Sequence, residues 1–234
     1  MYQMKDLLSA SMRIAVNFLR PPGFEGTDSH LAGVSTIQVP IRSLGENHRA
    51  RIEQHLLSLA PQDRHLRFGY TAQDVHIQRY VAGLNFERDE IFGIYNRKLV
   101  LLAVAHLAYS ENAHNEAGAE FGVSVLASAR GRGYGARLFE RAALHAGNDG
   151  VGVMFIHALS ENSAMLQIAR NAGALVQRDG QESEAFLKLP KPTLDSRATE
   201  MVEEQVAQTD YRIKWQAKQL WEFLANLQKI RQRV

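Results

Sequence analysis

The stretch "SARGRGYGARL", residues 128–138, carries glycine at three alternate positions and then turns into an apolar pattern of helical spacing. The three glycines are Gly131, Gly133 and Gly135. Glycines at the start of a helix leave backbone amides unshielded, and the helix N-terminus adds partial positive charge. Arg130 and Arg132 add guanidinium groups, which suit a pyrophosphate better than a neutral ligand. The stretch therefore predicts an anion cradle between a strand and a helix.

Two other interpretations of this loop remain open at this point. The glycines could serve only the dihedral angles of a tight strand-to-helix turn. Alternatively, Gly131, Gly133 and Ala136 fit the G-x-G-x-x-A pattern of dinucleotide-binding folds, with Glu161 placed as a ribose-binding acid. Only one strand–helix–strand unit follows the loop, however, whereas a dinucleotide fold needs two larger halves.

The segments around the loop alternate between strand and helix patterns. "AEFGVSVL", residues 119–126, precedes the loop and alternates in hydropathy as a strand does. One face carries Phe121, Val123 and Val125, and the other carries Glu120, Gly122 and Ser124. A helix, the strand-like run 151–159, a second helix and a pair of strands around residues 179–180 follow. The second strand face is small and polar, which predicts room for a substrate beside it.

The remaining chain divides into an arm, a main domain and a long helix. Residues 1–35 read as a helical arm and a glycine-rich loop, and residues 36–190 as the main α/β domain. In that domain we predict a strand within "TIQVPIRSL", residues 36–44, and a following helix that Pro61 closes. Residues 196–234 form one long amphipathic helix whose apolar seam is either packed on its own sheet or paired with a second copy. We favour a homodimer.

Composition narrows the possible functions. The 234 residues are 45% hydrophobic, and 27 basic against 25 acidic residues leave a net charge of +2. This balance does not indicate a nucleic-acid partner. The chain has no cysteine, which excludes disulfides, thiolate zinc sites and a cysteine nucleophile. Charges in the first twenty residues argue against a signal peptide or membrane span, so we expect no membrane partner and a cytoplasmic location.

The loop and its neighbours together resemble the GCN5-related N-acetyltransferase (GNAT) superfamily. Arg130, Gly133 and Gly135 match the family's R/Q-x-x-G-x-G/A signature. The strands before and after the loop, and Asn162 at the next helix start, fall in the family's order. "AEFGVSV" and "ENSAMLQIARNAGA" are most similar to bacterial protein-lysine acetyltransferases. The resemblance implies an α/β fold with a mixed, partly parallel central sheet flanked by helices.

The resemblance also implies a cosubstrate and its binding residues. Members of the family bind acetyl-CoA, with its diphosphate on the amides of this loop and its pantetheine arm along the preceding strand. Asn162 matches a position that often contacts the cosubstrate, although an ordinary helix cap explains it equally well. The implied cosubstrate-binding residues are Val123, Val125, Arg130, Gly131, Arg132, Gly133, Gly135, Ala136 and Asn162.

Amine acetylation needs a base more than an acid. An acceptor amine with a pKa of about 10.4 costs on the order of 4 to 5 kcal/mol to deprotonate at neutral pH. A thiol of pKa about 8.5 leaves as thiolate at a cost of only ~2 kcal/mol. Glu120, beside Gly122 and Ser124, is the candidate base. In many family members, a tyrosine seven residues after the asparagine serves as the general acid that protonates the leaving thiolate. This chain has Ala169 at that position.

Other polar residues receive structural interpretations. The nine histidines show no zinc-binding spacing, so no metal site is predicted. His157 is interpreted as a core histidine that could instead line the acceptor site, and Tyr109 as aromatic packing. Arg67 is a candidate for substrate contact. Arg137 and Arg141 are interpreted as a solvated helix face.

The predicted function is transfer of acetyl from acetyl-CoA to a primary amine by direct attack in a ternary complex. The acceptor is a protein lysine or a small-molecule amine. Two alternatives remain: a non-catalytic acyl-CoA-binding regulatory module, and an NAD(P)-dependent oxidoreductase that uses the same loop.

Overall fold

The computed structural model describes residues 39–111 and 117–231, and within them a seven-stranded sheet in the order β1-β2-β3-β4-β5-β7-β6. The strands are β1 (Arg42–Ser43), β2 (Glu90–Tyr95), β3 (Leu101–Glu111), β4 (Ala117–Val125), β5 (Val153–Leu159), β6 (Leu175–Asp179) and β7 (Glu182–Lys188). Neighbouring strands are antiparallel except β4 and β5, which are parallel. A single parallel pair is incompatible with a doubly wound dinucleotide fold, so that alternative is wrong.

Helices cover both faces of this sheet. They are α1 (Arg49–Leu57), α2 (Pro61–Phe68), α3 (Asp74–Ala82), α4 (Tyr134–Asn148), α5 (Ser163–Asn171) and α6 (Leu194–Arg231). On β2, Ile91 packs into a core with α1 and α3, whereas Phe92 packs into a second core with α4 and α5. This alternation is what the two-residue period of a strand produces when both faces are buried. The mixed sheet with flanking helices and a long C-terminal helix confirms the predicted fold class.

The sheet opens between β4 and β5. The two strands pair only over Gly118–Val153, Ala119–Met154 and Glu120–Phe155. Beyond Glu120, β4 continues to pair with β3 as far as Val125, and β5 continues to pair with β7 as far as Leu159. The backbone of residues 121–125 therefore has a strand on one side and a wedge-shaped gap on the other.

Three sequence predictions need correction or fall outside this description. The strand predicted over residues 36–44 is present but shorter, because within the described residues strand pairing covers only Arg42–Ser43. Pro61 does not close a helix but begins α2, at a position where its missing N–H costs no helical hydrogen bond. The arm predicted over residues 1–35 lies outside the described residues, and the domain limits at 36–190 and 196–234 stay predictions.

Arg141 on α4 attaches α6 to the domain. Its side chain is only 3% exposed and lies 3.5–3.6 Å from three carboxylates of α6. These carboxylates belong to Glu200, Glu203 and Glu204. The guanidinium carbon also lies 5.4 Å from the ring centroid of Phe92. The interpretation of Arg141 as part of a solvated face is therefore wrong, because a helix distant in sequence covers it.

His145 lies next to this carboxylate cluster. Burial alone would lower the pKa of His145, but a hydrogen bond with Glu200 and nearby acidic groups raise it overall. Burial alone would raise the pKa of Glu200, but hydrogen bonds from His145 and Asn148 lower it overall. The His145 contribution is lost as pH rises through its folded pKa, and the Glu200 contribution is lost as pH falls through its own. The attachment of α6 is thus strongest at intermediate pH.

The exposed seam of α6 bears on the predicted homodimer. Val206, Ile213 and Leu220 recur every seven residues and are each more than half exposed.

We expect the double variant Ile213→Asp, Leu220→Asp to halve the particle mass in light scattering, because two charges would have to be buried in a paired seam. Gln219→Asp, on another face of α6, is the matched control. An unchanged mass in the double variant would contradict dimerisation through α6. Deletion of residues 196–234 is a poorer test, since it also removes the partners of Arg141.

None of the helices within residues 39–111 and 117–231 combines the length and apolarity needed to cross a membrane.

Candidate active site

The glycine loop has the backbone conformation that its sequence predicts. A short 3-10 turn at Ala127–Ala129 leads into it, and Gly131 and Gly133 have φ values of +73° and +74°. L-residues with a Cβ rarely adopt this left-handed region, so glycine is required at both positions. Gly133 is the N-cap of α4 and provides no side-chain cap. The first-turn amides of α4 are therefore left without a side-chain acceptor from the cap.

The two loop arginines have different surroundings. Arg130 Nη2 lies 2.5 Å from Oδ1 of Asp63 on α2, which fixes the guanidinium beside the loop. Arg132 is exposed, with Nη2 3.5 Å from the Ser128 carbonyl oxygen, and it does not line the cavity described next. Within residues 39–111 and 117–231, Arg130 forms an ion pair and Arg132 does not.

One cavity of about 830 Å³ connects the loop with β4 and β5. It runs along the wedge between these strands, from the N-terminus of α4 to Glu120. The predicted site residues that line it are Glu120, Val123, Val125, Arg130, Gly131, Gly133, Gly135, Ala136 and Asn162. The structure thus brings together every predicted site residue except Arg132.

Glu120 belongs to a row of three polar side chains on neighbouring strands. His157 Nδ1 on β5 lies 3.3 Å from Glu120 Oε1, and His157 Nε2 lies 3.3 Å from Oε1 of Glu184 on β7. All three side chains are more than half exposed and line the cavity. The interpretation of His157 as a core residue is therefore wrong. The row connects the candidate base with a second carboxylate through an imidazole that can carry protons.

Arg67 forms the opposite wall beside Gly122. A Cβ on Gly122 would lie 2.7 Å from the Arg67 guanidinium, so glycine is needed for the close approach. The sequence predicted open space beside the small polar face of β4. At Gly122 this space is not open, because the Arg67 guanidinium occupies it. Sequence reasoning placed Arg67 near the substrate without any signal for this contact.

A partly buried chain of hydrogen bonds holds Arg67, and sequence reasoning missed it. Arg67 Nη2 donates to Tyr80 Oη (3.0 Å), so the Tyr80 hydroxyl donates to His106 Nδ1 (2.7 Å). His106 Nε2 then donates to Asp89 Oδ2 (3.1 Å). Burial and the Arg67 charge lower the pKa of His106 despite the Asp89 contact, which favours this neutral tautomer. Burial alone would raise the pKa of Asp89, but hydrogen bonds from Arg88 and His106 lower it overall.

The hydroxyl of Ser124, the last polar residue of the β4 face, is hydrogen-bonded to a buried histidine, His55. His55 Nδ1 lies 2.9 Å from the Leu101 carbonyl oxygen and Nε2 lies 2.9 Å from Ser124 Oγ. A carbonyl only accepts, so Nδ1 carries the proton and the Ser124 hydroxyl donates to Nε2. Burial lowers the pKa of His55, which keeps the ring neutral. This pair fixes the end of β4 against α1.

Asn162 is a helix cap in this structure. Its Oδ1 accepts a hydrogen bond from the Met165 amide (3.1 Å) and its Nδ2 donates to the Leu66 carbonyl oxygen (3.4 Å). The cap therefore accounts for the residue type. Its side chain also lines the cavity, so contact with a cosubstrate stays a prediction.

The position of the missing tyrosine does not face the cavity. Ala169 lies on the buried face of α5, is fully buried in the core and does not line the cavity. Tyr109, the other hydroxyl considered, donates to Asp149 Oδ2 (2.8 Å), and burial followed by that acidic contact raises its pKa. Tyr134 at the start of α4 does line the cavity, although the sequence did not single it out. Neither Ala169 nor Tyr109 lies where a leaving thiolate could be protonated.

No group of three or more His, Asp or Glu residues in the described part of the chain has an arrangement that could hold a metal ion.

The comparisons with known proteins agree with this geometry. The model of the acetyltransferase (GNAT) family matches residues 61–174, from α2 to the end of α5. The solved structure of the GNAT domain of S. lividans PAT is similar, with 17% identity and a TM-score of 0.54 over 64% of this chain and 89% of that one. A proposed acetyltransferase from Acinetobacter baylyi ADP1 has 19% identity and a TM-score of 0.53 over 65% and 93%. At this identity these two structures show the fold alone.

A search of curated protein sequences finds no significant match. The family match supports acyl-CoA-dependent N-acetyltransferase activity, and the matched segment contains the glycine loop, the β4–β5 wedge and Glu120. Residues 61–174 therefore form a domain of the acetyltransferase (GNAT) family.

Proposed function

We propose that the protein transfers acetyl from acetyl-CoA to a primary amine by direct attack, with Glu120 as the base. The observation that carries this proposal is the single cavity that joins the glycine loop to Glu120 along the open edge of β4. A diphosphate on the loop amides and Arg130 would leave an extended arm in the wedge. Its thioester end would then lie toward Glu120.

The residues present fit such a cosubstrate. Gly131 and Gly133 have no Cβ over the loop, and a Cβ built on either would meet no atom within 4 Å, so the space above the loop is free. The unpaired edge of residues 121–125 offers backbone donors and acceptors to an amide-bearing chain, as a sheet edge does to a strand. Val123 and Val125, which line the cavity, are the proposed contacts of that chain.

The acceptor is proposed to enter as an ammonium group. Glu120, Glu182 and Glu184 all line the cavity, and their carboxylates attract a cation. Glu120 takes one proton from the ammonium, the amine nitrogen bonds to the acetyl carbon, and the C–S bond breaks to release CoA thiolate. The second proton, which the nitrogen loses as the amide forms, passes to the released thiolate or to solvent. The thiolate can leave without a general acid, since its cost is only about 2 kcal/mol at neutral pH. A protein lysine and a small amine satisfy this chemistry equally.

The acetyl-transfer experiment does not require the acceptor to be identified first. The protein is incubated with isotopically labelled acetyl-CoA and cell extract, and labelled proteins and metabolites are identified. Labelled amide products that require Glu120 would support the proposal. Binding of acetyl-CoA with no labelled product would instead support a non-catalytic acyl-CoA-binding module.

Arg67 is proposed to contact the acceptor. Gly122→Ala should displace the guanidinium, because the added methyl would lie 2.7 Å from it. We expect the acceptor KM to rise by about tenfold, equivalent to roughly 1.4 kcal/mol, with the acetyl-CoA KM unchanged. Gly152→Ala, where a Cβ meets no atom within 4 Å, is the control. An unchanged acceptor KM in Gly122→Ala would remove Arg67 from the acceptor site.

A further inference from the structure

A second cleft, of about 340 Å³, lies between the start of α1 and the middle of α6. None of the residues that line it lines the glycine-loop cavity. They are Arg42, Asn47, His48, Arg51, Gln208, Tyr211, Arg212 and Trp215. Three are arginines and none is acidic, which is unusual in a chain with nearly equal numbers of basic and acidic residues. The cleft is a concentrated site of positive charge on a nearly neutral protein.

Aromatic side chains, not carboxylates, hold two of these arginines. The Arg42 guanidinium carbon lies 3.9 Å from the Tyr211 ring centroid, and Arg51 donates a hydrogen bond to Tyr211 Oη. None of the three cleft arginines has a carboxylate within 4.0 Å among residues 39–111 and 117–231, whereas Arg130 and Arg141 do. A guanidinium has five N–H donors, so most of those in the cleft remain unused by the described chain.

His48 is a buried, neutral polar side chain in the lining of the cleft. It lines the cleft, is only 4% exposed, and its Nδ1 has no hydrogen-bond partner in the described part of the protein. Buried polar atoms are nearly always paired, so this nitrogen is an exception in the lining of the cleft. Burial, with the Arg42 charge, lowers the pKa of His48 to about 4. The ring is therefore neutral at neutral pH and adds no positive charge to that of the three arginines.

The chemistry of the cleft selects a particular ligand class. A phosphate monoester carries nearly two negative charges and three terminal oxygens, which can accept from more than one arginine at once. Trp215 is 48% exposed, and its indole offers a face for a planar ring. The cleft volume lies within the range of about 300 to 1,000 Å³ that small-molecule sites occupy. We propose that this cleft binds a phosphate monoester that carries an aromatic ring, such as a nucleoside monophosphate.

This site does not depend on the acetyl-transfer reaction and can be tested by fluorescence. The chain has two tryptophans, so Trp221→Phe leaves Trp215 as the single indole reporter. We expect AMP to change the Trp215 emission saturably, and inorganic phosphate or adenosine to bind at least tenfold more weakly. Trp215 does not line the glycine-loop cavity, so AMP bound there should leave its emission unchanged. No saturable response to AMP, or equal affinity for adenosine or phosphate, would overturn the proposal.

Charge reversal identifies the residues that bind. Arg212 is exposed and forms no ion pair within the described residues, so Arg212→Glu should preserve the fold while placing a negative charge in the cleft. In the Trp221→Phe background it should weaken AMP binding roughly ten- to hundredfold, the effect of one charged hydrogen bond. Arg178→Glu, on exposed β6, makes the same change in net charge and should have little effect. Equal weakening by both variants would reduce the site to non-specific charge attraction and contradict the proposal.

Discussion

Replacement of Glu120 by glutamine is expected to lower kcat by a factor of about 10² to 10⁴, the range for loss of a general base. Glutamine has nearly the same shape but cannot take the proton of an ammonium acceptor. The dissociation constant for acetyl-CoA, measured by calorimetry, should not change, because the glycine loop lies at the other end of the cavity. The measurement is steady-state turnover with saturating acetyl-CoA.

The pH dependence sharpens this prediction. In the Glu120→Gln variant, only amine that is already deprotonated can attack, so kcat/KM should rise about tenfold per pH unit toward the amine pKa of about 10.4. Glu140→Gln, an exposed position on α4 outside the cavity, should behave like the wild-type protein. Wild-type turnover in Glu120→Gln would remove Glu120 from the mechanism.

Replacement of Arg141 by methionine is expected to destabilise the protein by about 3 to 5 kcal/mol, as when one partner of a buried ion pair is removed. Three carboxylates of α6 would then face one another and the buried end of α4 without a cation. For a chain of this size the melting temperature should fall by about 6 to 20 °C. Calorimetry or urea unfolding measures the effect.

A neighbouring arginine provides the control for this prediction. Arg137 lies one helical turn earlier on α4 and has no ion pair within the described residues, so Arg137→Met should change stability by less than about 1 kcal/mol. Glu203→Gln and Glu204→Gln should partly restore the Arg141→Met variant, because they remove like charges. Equal stability of the Arg137 and Arg141 variants would contradict the proposed attachment of α6.

Short-range patterns predicted the central part of the fold well. The alternate glycines, the strand before them and the apolar spacing after Gly135 all act over a few residues, and the structure has the corresponding strand, turn and helix there. The same locality explains why Glu120 and the loop glycines could be assigned to one site. A strand followed by a helix places its last residues beside the helix N-terminus.

Long-range contacts could not be predicted from the sequence. Arg141 meets residues of α6 that follow it by about sixty positions, and nothing in the local pattern of α4 distinguishes it from Arg137. The chain from Arg67 through Tyr80 and His106 to Asp89 likewise joins a helix, a second helix, a strand and a loop. Its members are ordinary surface residue types until the fold brings them together.

Proline signals were ambiguous for a related reason. Pro61 follows a short apolar helix, so the pattern fits equally a helix that ends before it and one that begins with it. In the structure, α1 ends at Leu57 and α2 begins at Pro61, which places Asp63 and Arg67 over the cavity. The sequence therefore named Arg67 but not the helix boundary that positions it.

The most direct test of the proposed function is a crystal structure of the protein with CoA. We expect the diphosphate oxygens to lie within hydrogen-bond distance of the amides of residues 131–135, about 2.7 to 3.2 Å, and the thiol to lie in the β4–β5 wedge facing Glu120. CoA bound elsewhere, or bound with its thiol directed away from Glu120, would contradict the proposed acetyl transfer.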